Sequence, residues 1–221
     1  MLGKHFPFFH FPHPDPDLTK YILLEASDTH PDLLVSIPPF YSNIRFDEQE
    51  ERIMKEHGLL MTVDQLREFF DLLNRKTVYN GKGKKVSSRV IDELFDHFFT
   101  CRSPYRGERL GGRFVVASEH FSYEYYAFNL QRQHELFYLT LPDYRMHEPV
   151  KKVDLEYWLE HSDSFGIPLC SSPPGILRFF PPVDDGIPYY AIDRDYGPIL
   201  SCQGTPDFKD ENFGVRKVIL K

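Results

Sequence analysis

Apolar residues recur at two different periods along this chain, and the change of period divides it. From residue 47 to residue 100 the spacing is helical. Leu66, Phe69, Phe70 and Leu73 stand at i, i+3, i+4 and i+7, one face of a helix. Thr62 and Gln65 form a capping box ahead of that face, and Met61 is placed to staple to Leu66, so this helix is expected from Thr62 to about Arg75. An earlier helix is read from Asp47 and Glu50, a second capping-box pattern, with Ile53, Met54 and His57 on one side and Gly58 as the stop. A third begins near Ser88 and carries Ile91, Leu94, Phe95 and Phe98 inward.

Short runs of period two, rich in valine and aromatic residues, flank this block. Ahead of it, Tyr21 to Glu25 and Leu33 to Ile37 read as buried strands, the second closed by Pro38-Pro39. After it come Arg113 to Ser118, Phe121 to Leu130 and His134 to Leu141, separated by gaps of turn length, the pattern of an antiparallel meander with His120 in its first turn. A short helix is expected after Asp154, with Leu155, Trp158 and Leu159 on one side. Four more strands follow, at Ile176 to Phe180, Tyr189 to Asp193, Ile199 to Cys202 and Val215 to Leu220. The fold class is therefore α+β: helices mainly in residues 47–100, then a largely antiparallel sheet in the C-terminal half. Residues 1–17 read as an extended arm in which Pro7, Pro12, Pro14 and Pro16 prevent a helix from aligning His5, His10 and His13. Residues 18–221 read as one α+β domain, since the linkers are short.

Composition narrows the classes. At 41% hydrophobic content the chain can bury a core without staples, and three cysteines without C-x-x-C spacing fit neither a disulfide scaffold nor a structural zinc site. No apolar run approaches the roughly 20 residues needed to span a bilayer. The expectation is a cytoplasmic protein without membrane contact, metal or cofactor.

Charge changes the picture more. The chain carries a formal −7, yet residues 75–113 hold ten basic side chains against four acidic ones, so this segment is +6 and the remainder −13. Glycines at 81, 83, 107, 111 and 112 are interleaved with the cations in two clusters. Glycine-rich loops can leave backbone N–H groups open to an anion, and the first runs into the start of the third helix, whose dipole favours negative charge. The candidate ligand-binding residues are Lys82, Lys84 and Lys85 in the first cluster and Arg102, Tyr105, Arg106 and Arg109 in the second, where arginine suits bidentate recognition and tyrosine can stack.

Catalytic signatures are absent. His134-Glu135 lacks the second histidine of a zinc-protease helix, and no G-x-S-x-G elbow occurs. His97, beside the apolar face of the third helix, reads as a hydrogen-bonded core histidine. His120 and Glu124 are the candidates for acid–base chemistry, with no nucleophile beside them. Tyr79-x-Gly81-Lys82-Gly83 resembles the second half of the GIY-YIG nuclease signature, but the paired strand that motif needs does not precede it, and no catalytic residue is carried over. Tyr105-Arg106-Gly107 beside a strand is similar to the opening of some ADP-ribosyltransferase folds, which implies Arg106 on a dinucleotide phosphate. The stretch from Tyr190 to Asp193 with Gly214 to Leu220 resembles the closing strands of C-type-lectin-like and formylglycine-enzyme-like domains, and implies only a β-rich C-terminal half.

These readings converge on a recognition protein that binds an anionic partner through residues 75–113. The partner would be a nucleic acid, a nucleotide-containing ligand or an acidic protein surface. One alternative is an enzyme acting on a phosphate ester or dinucleotide, nuclease-like or ADP-ribosyltransferase-like. The other is an acidic inhibitor or immunity-type protein that works through the −13 remainder.

Overall fold

The computed structural model describes residues 16–101, 105–117, 120–129, 131–141 and 150–221. The aromatic and histidine-rich stretch 1–15 and Arg102 lie outside the described residues. The described residues hold four α-helices, three of them in the N-terminal half, and thirteen strands in three mostly antiparallel sheets. No helix among the described residues is long and apolar enough to cross a membrane.

The first sheet joins the two ends of the described chain. Its strands are β1 (Tyr21–Leu24), β2 (Leu33–Ser36), β3 (Leu59–Leu60) and β13 (Lys217–Leu220), in the order β1-β2-β13-β3. β13 therefore sits between two strands from the N-terminal quarter, pairing Val218 with Val35 and with Leu59. The second sheet has six strands: β4 (Arg106–Arg109), β8 (Lys151–Val153), β9 (Leu177–Phe180), β10 (Ile187–Asp193), β11 (Gly197–Gly204) and β12 (Phe213–Val215). Their order is β12-β4-β10-β11-β9-β8, with parallel pairs at β4/β12 and β9/β11. The third sheet is the expected meander, β5 (Arg113–Ala117), β6 (His120–Phe128) and β7 (His134–Leu141).

α2 (Val63–Asn74) forms as its pattern dictates. The Thr62 hydroxyl accepts from Gln65 N–H while the Gln65 side chain accepts from Thr62 N–H, and Leu66, Phe69, Phe70 and Leu73 are wholly buried. α3 (Ser88–Phe99) is capped by Ser87 and buries Ile91, Leu94 and Phe98. Phe70 is the hub between them, edge-on to Phe98 at 4.9 Å and to Tyr190 of β10 at 5.0 Å. α4 (Leu155–Glu160) is capped by Asp154 and buries Trp158, whose indole N–H donates to the carbonyl of Gly166.

Three local expectations need correction. α1 (Phe46–Lys55) is capped by Arg45 rather than Asp47, with no side-chain hydrogen bond. Phe46 is buried and its N–H donates to the carbonyl of Pro206, so a tertiary contact starts the helix and leaves Asp47 and Glu48 in its first turn. The residues Arg106 to Arg109, placed by the sequence in the second glycine-rich cluster, are an inner strand of the six-stranded sheet. The terminal strand expected from Val215 to Leu220 is interrupted at Arg216: β12 belongs to the second sheet and β13 to the first.

Candidate functional site

The lysine loop is a braced hairpin. Tyr79 and Lys85 form an antiparallel bridge, Asn80 N–H donates to Lys84 O at 2.8 Å, and Gly83, at φ +70°, donates to Asn80 O. The Asn80 side-chain oxygen accepts from Lys82 N–H and Lys84 N–H, each at 3.0 Å. Gly81 N–H donates outward to the carbonyls of Leu18 and Tyr21, fastening the hairpin to the 3-10 turn Leu18–Lys20 and to β1. The main-chain donors expected to face an anion are thus consumed within the molecule, and no nest of open N–H groups remains at residues 81–84. The side chains are another matter: Lys82, Lys84 and Lys85 are exposed and make no ion pair with any described residue, although Lys82 lies close enough to Asp17 to help lower its carboxyl.

The arginines of the same segment behave differently. Arg75 pairs with Asp71, Arg89 with Glu93 at 2.9 Å, and Arg113 with both Asp47 at 2.7 Å and Asp185 at 3.1 Å. Arg106 closes the C-terminal end of α3, donating to the carbonyls of Asp96 and Thr100. Arg109 is 4% exposed; its guanidinium donates to Ile44 O, Gln49 Oε1 and Phe208 O and lies over the rings of Phe208 and Phe213. Tyr105 donates to the Asp210 carboxylate and meets the Phe213 ring edge-on, and burial together with that carboxylate pushes its phenol up to about 12. A hollow of about 340 Å³ opens beside Tyr105 and Arg109, but the Tyr105 hydroxyl and the Arg109 guanidinium are already bound within the fold.

The two cation clusters do not form one cradle. The lysine hairpin feeds the first turn of α3, whereas Arg106 holds its last carbonyls. Twelve residues of helix, about 18 Å, separate them. Nor does Gly107 serve a ligand: a Cβ there would stand 2.3 Å from the ring of Phe213. Of the acid–base candidates, His120 is the first residue of β6, opposite Ala117, and not a turn residue. Glu124 is a half-buried member of β6 flanked by Arg113 and Tyr138.

A polar cluster that no motif announced lies behind α3. Glu108, on β4, is 1% exposed and accepts a bidentate grip from Arg216, Nε to Oε2 at 2.8 Å and the second nitrogen to Oε1 at 2.7 Å. Arg216 also donates to Ser36 O and Ile37 O, and its guanidinium lies 4.8 Å from the Phe98 ring centroid. His97 Nε2 meets Glu108 Oε1 at 2.9 Å, the hydrogen-bonded histidine the sequence led one to expect. Burial alone would raise the Glu108 carboxyl, but Arg216 and His97 outweigh it and hold it below the usual carboxylate range. Above this trio is a cleft of about 280 Å³ between Lys20, the Ile37-Pro38-Pro39 ledge and the α3 residues Val90, Leu94 and His97. The nearest sequence signal was the lone His97; its partners come from 11 and 119 positions away in the chain.

No known protein family, curated protein or solved structure matches this chain.

Proposed function

We propose that this is a recognition protein that docks an anionic partner on the hairpin bearing Lys82, Lys84 and Lys85. One observation carries the reading: in a segment whose described arginines are bound to their own molecule, these three lysines face solvent unpaired from a main chain held rigid by Asn80. A rigid scaffold lowers the ordering cost of binding, and grouped cations steer an oppositely charged partner. The footprint is small and the rest of the molecule is negative, so a long polyanion would be repelled away from the hairpin. An acidic protein segment fits better than a nucleic acid.

The test uses fluorescein-labelled hexaglutamate, with a single-stranded oligonucleotide as the comparison, read by anisotropy at low and physiological salt. Hexaglutamate binding is expected to weaken several-fold with salt. It should fall about tenfold when Lys82, Lys84 and Lys85 are all changed to glutamine, given a few tenths to one kcal/mol for each exposed charge pair. Equal binding by the triple variant, or preference for the oligonucleotide, refutes the proposal. No observation favours the enzymatic alternative: the arginine it would place on phosphate is holding the end of α3.

A further inference from the structure

The cleft over the Arg216–Glu108–His97 cluster is a second site, distinct from the lysine hairpin. Its chemistry follows from hydrogen-bond capacity. An ionised Glu108 can only accept, so His97 must donate from Nε2, and a neutral ring then carries its lone pair on Nδ1. That nitrogen has no partner among the described residues and is not sealed from solvent, while His97 itself lines the cleft. The ring cannot readily turn away. Its other nitrogen is bonded to a carboxylate that Arg216 fixes at both oxygens, and its edge packs on Phe98 at 4.9 Å. An unpartnered acceptor on a residue that lines a mostly apolar slot calls for a ligand that brings one hydrogen-bond donor.

The walls define the rest of the ligand. Ile37, Pro38 and Pro39 face Val90 and Leu94 across the opening, a slot for a flat apolar body. The cations split by role. Arg216 is spent on Glu108 and two carbonyls, and Glu93, which also lines the cleft, is paired with Arg89 at 2.9 Å, so Lys20, exposed at the rim, is the cation a ligand would meet. One lysine suits a carboxylate better than a phosphate, whose three oxygens call for several donors. We propose that the cleft binds a small aromatic hydroxycarboxylate: hydroxyl donating to His97 Nδ1, ring between the proline ledge and α3, carboxylate at Lys20. His97 is the residue that selects for the hydroxyl.

The experiment is a titration followed by methyl and imidazole nitrogen NMR, using 4-hydroxyphenylacetate as the probe. Saturable shifts are expected at the methyls of Ile37, Val90 and Leu94 and at His97 Nδ1. Phenylacetate, which lacks the hydroxyl, should bind about threefold to tenfold more weakly, the range of one net hydrogen bond. Tyramine, with an amine in place of the carboxylate, should not saturate the site. Lys20→Gln, at an exposed position, should weaken both acids alike. His97→Phe should abolish the difference between them. The triple glutamine variant of the lysine hairpin should bind the probe as the wild type does, so failure of the hairpin proposal and failure of this one are separable. The inference is overturned if the shifts do not saturate, if they map away from the cleft, or if the wild-type protein binds phenylacetate as well as its hydroxylated counterpart.

Discussion

Replacing Arg216 with methionine tests the internal logic of the cluster most directly. The substitution keeps the length and much of the apolar volume of the side chain, so packing against Phe98 and Phe69 is largely retained. It deletes both contacts to Glu108 and those to the carbonyls of Ser36 and Ile37. Glu108, 1% exposed, is then a buried carboxylate supported by His97 alone. Breaking a buried pair in this way costs about 3–5 kcal/mol, because the surviving charge is uncompensated. Arg216→Lys retains the charge without the fork and should fall between wild type and methionine. Adding Glu108→Leu to Arg216→Met removes the stranded charge, and the double variant should regain about 2 kcal/mol over the single one. Urea denaturation at neutral pH reads all three. A loss below about 1 kcal/mol for Arg216→Met, or strict additivity in the double variant, would refute the view that these residues act as one unit.

Two further outcomes follow from other parts of the molecule. Glu50, half-buried on α1, has its carboxyl raised to about 7 from 4.5, chiefly by burial and against the pull of Arg113. A raised carboxyl favours the fold below its unfolded value and loses that advantage as pH climbs to about 7. Glu50→Gln should therefore match wild type near pH 4.5 and exceed it by up to about 3 kcal/mol at pH 8; denaturation curves showing no gain at pH 8 would contradict this. Gly107→Ala drives a methyl into the Phe213 ring, which is held edge-on by Tyr105 and Tyr189. The overpacking should cost about 1–3 kcal/mol, a fall of roughly 2–10 °C in melting temperature by calorimetry.

What was legible in the sequence was local. The capping box at Thr62 and Gln65 and the apolar stripe behind it specify α2 without help from the rest of the chain. The meander was legible for the same reason, since each strand pairs with the next. β4 was not, because Arg106 to Arg109 hold only one glycine among charged residues and become a strand through partners at Phe213 to Val215 and Tyr189 to Ile192. The charge contrast was real as arithmetic and misleading as geometry. Five of the cations it counted are arginines now seen bonded to carboxylates or carbonyls of their own fold, and among the described residues the exposed lysines, Lys76 and the three of the hairpin, carry what is left. His97 could be singled out from its helical position. Its carboxylate could not, since Glu108 lies within the second glycine and cation cluster, and Arg216 sat inside what looked like a continuous strand.

The place of β13 between β2 and β3 governs when this sheet can close during synthesis. β2 and β3 have no direct pairing with each other, and the strand that joins them is made more than 150 residues after β3. Arg216, one position ahead of β13, arrives at the same moment, so the nascent chain carries Glu108 without its counter-ion until then. Contacts this distant in sequence are slow to form. Nascent chains halted before residue 216 should accordingly remain sensitive to protease in β1 and β2, and resistance should appear in a single step once β13 is released.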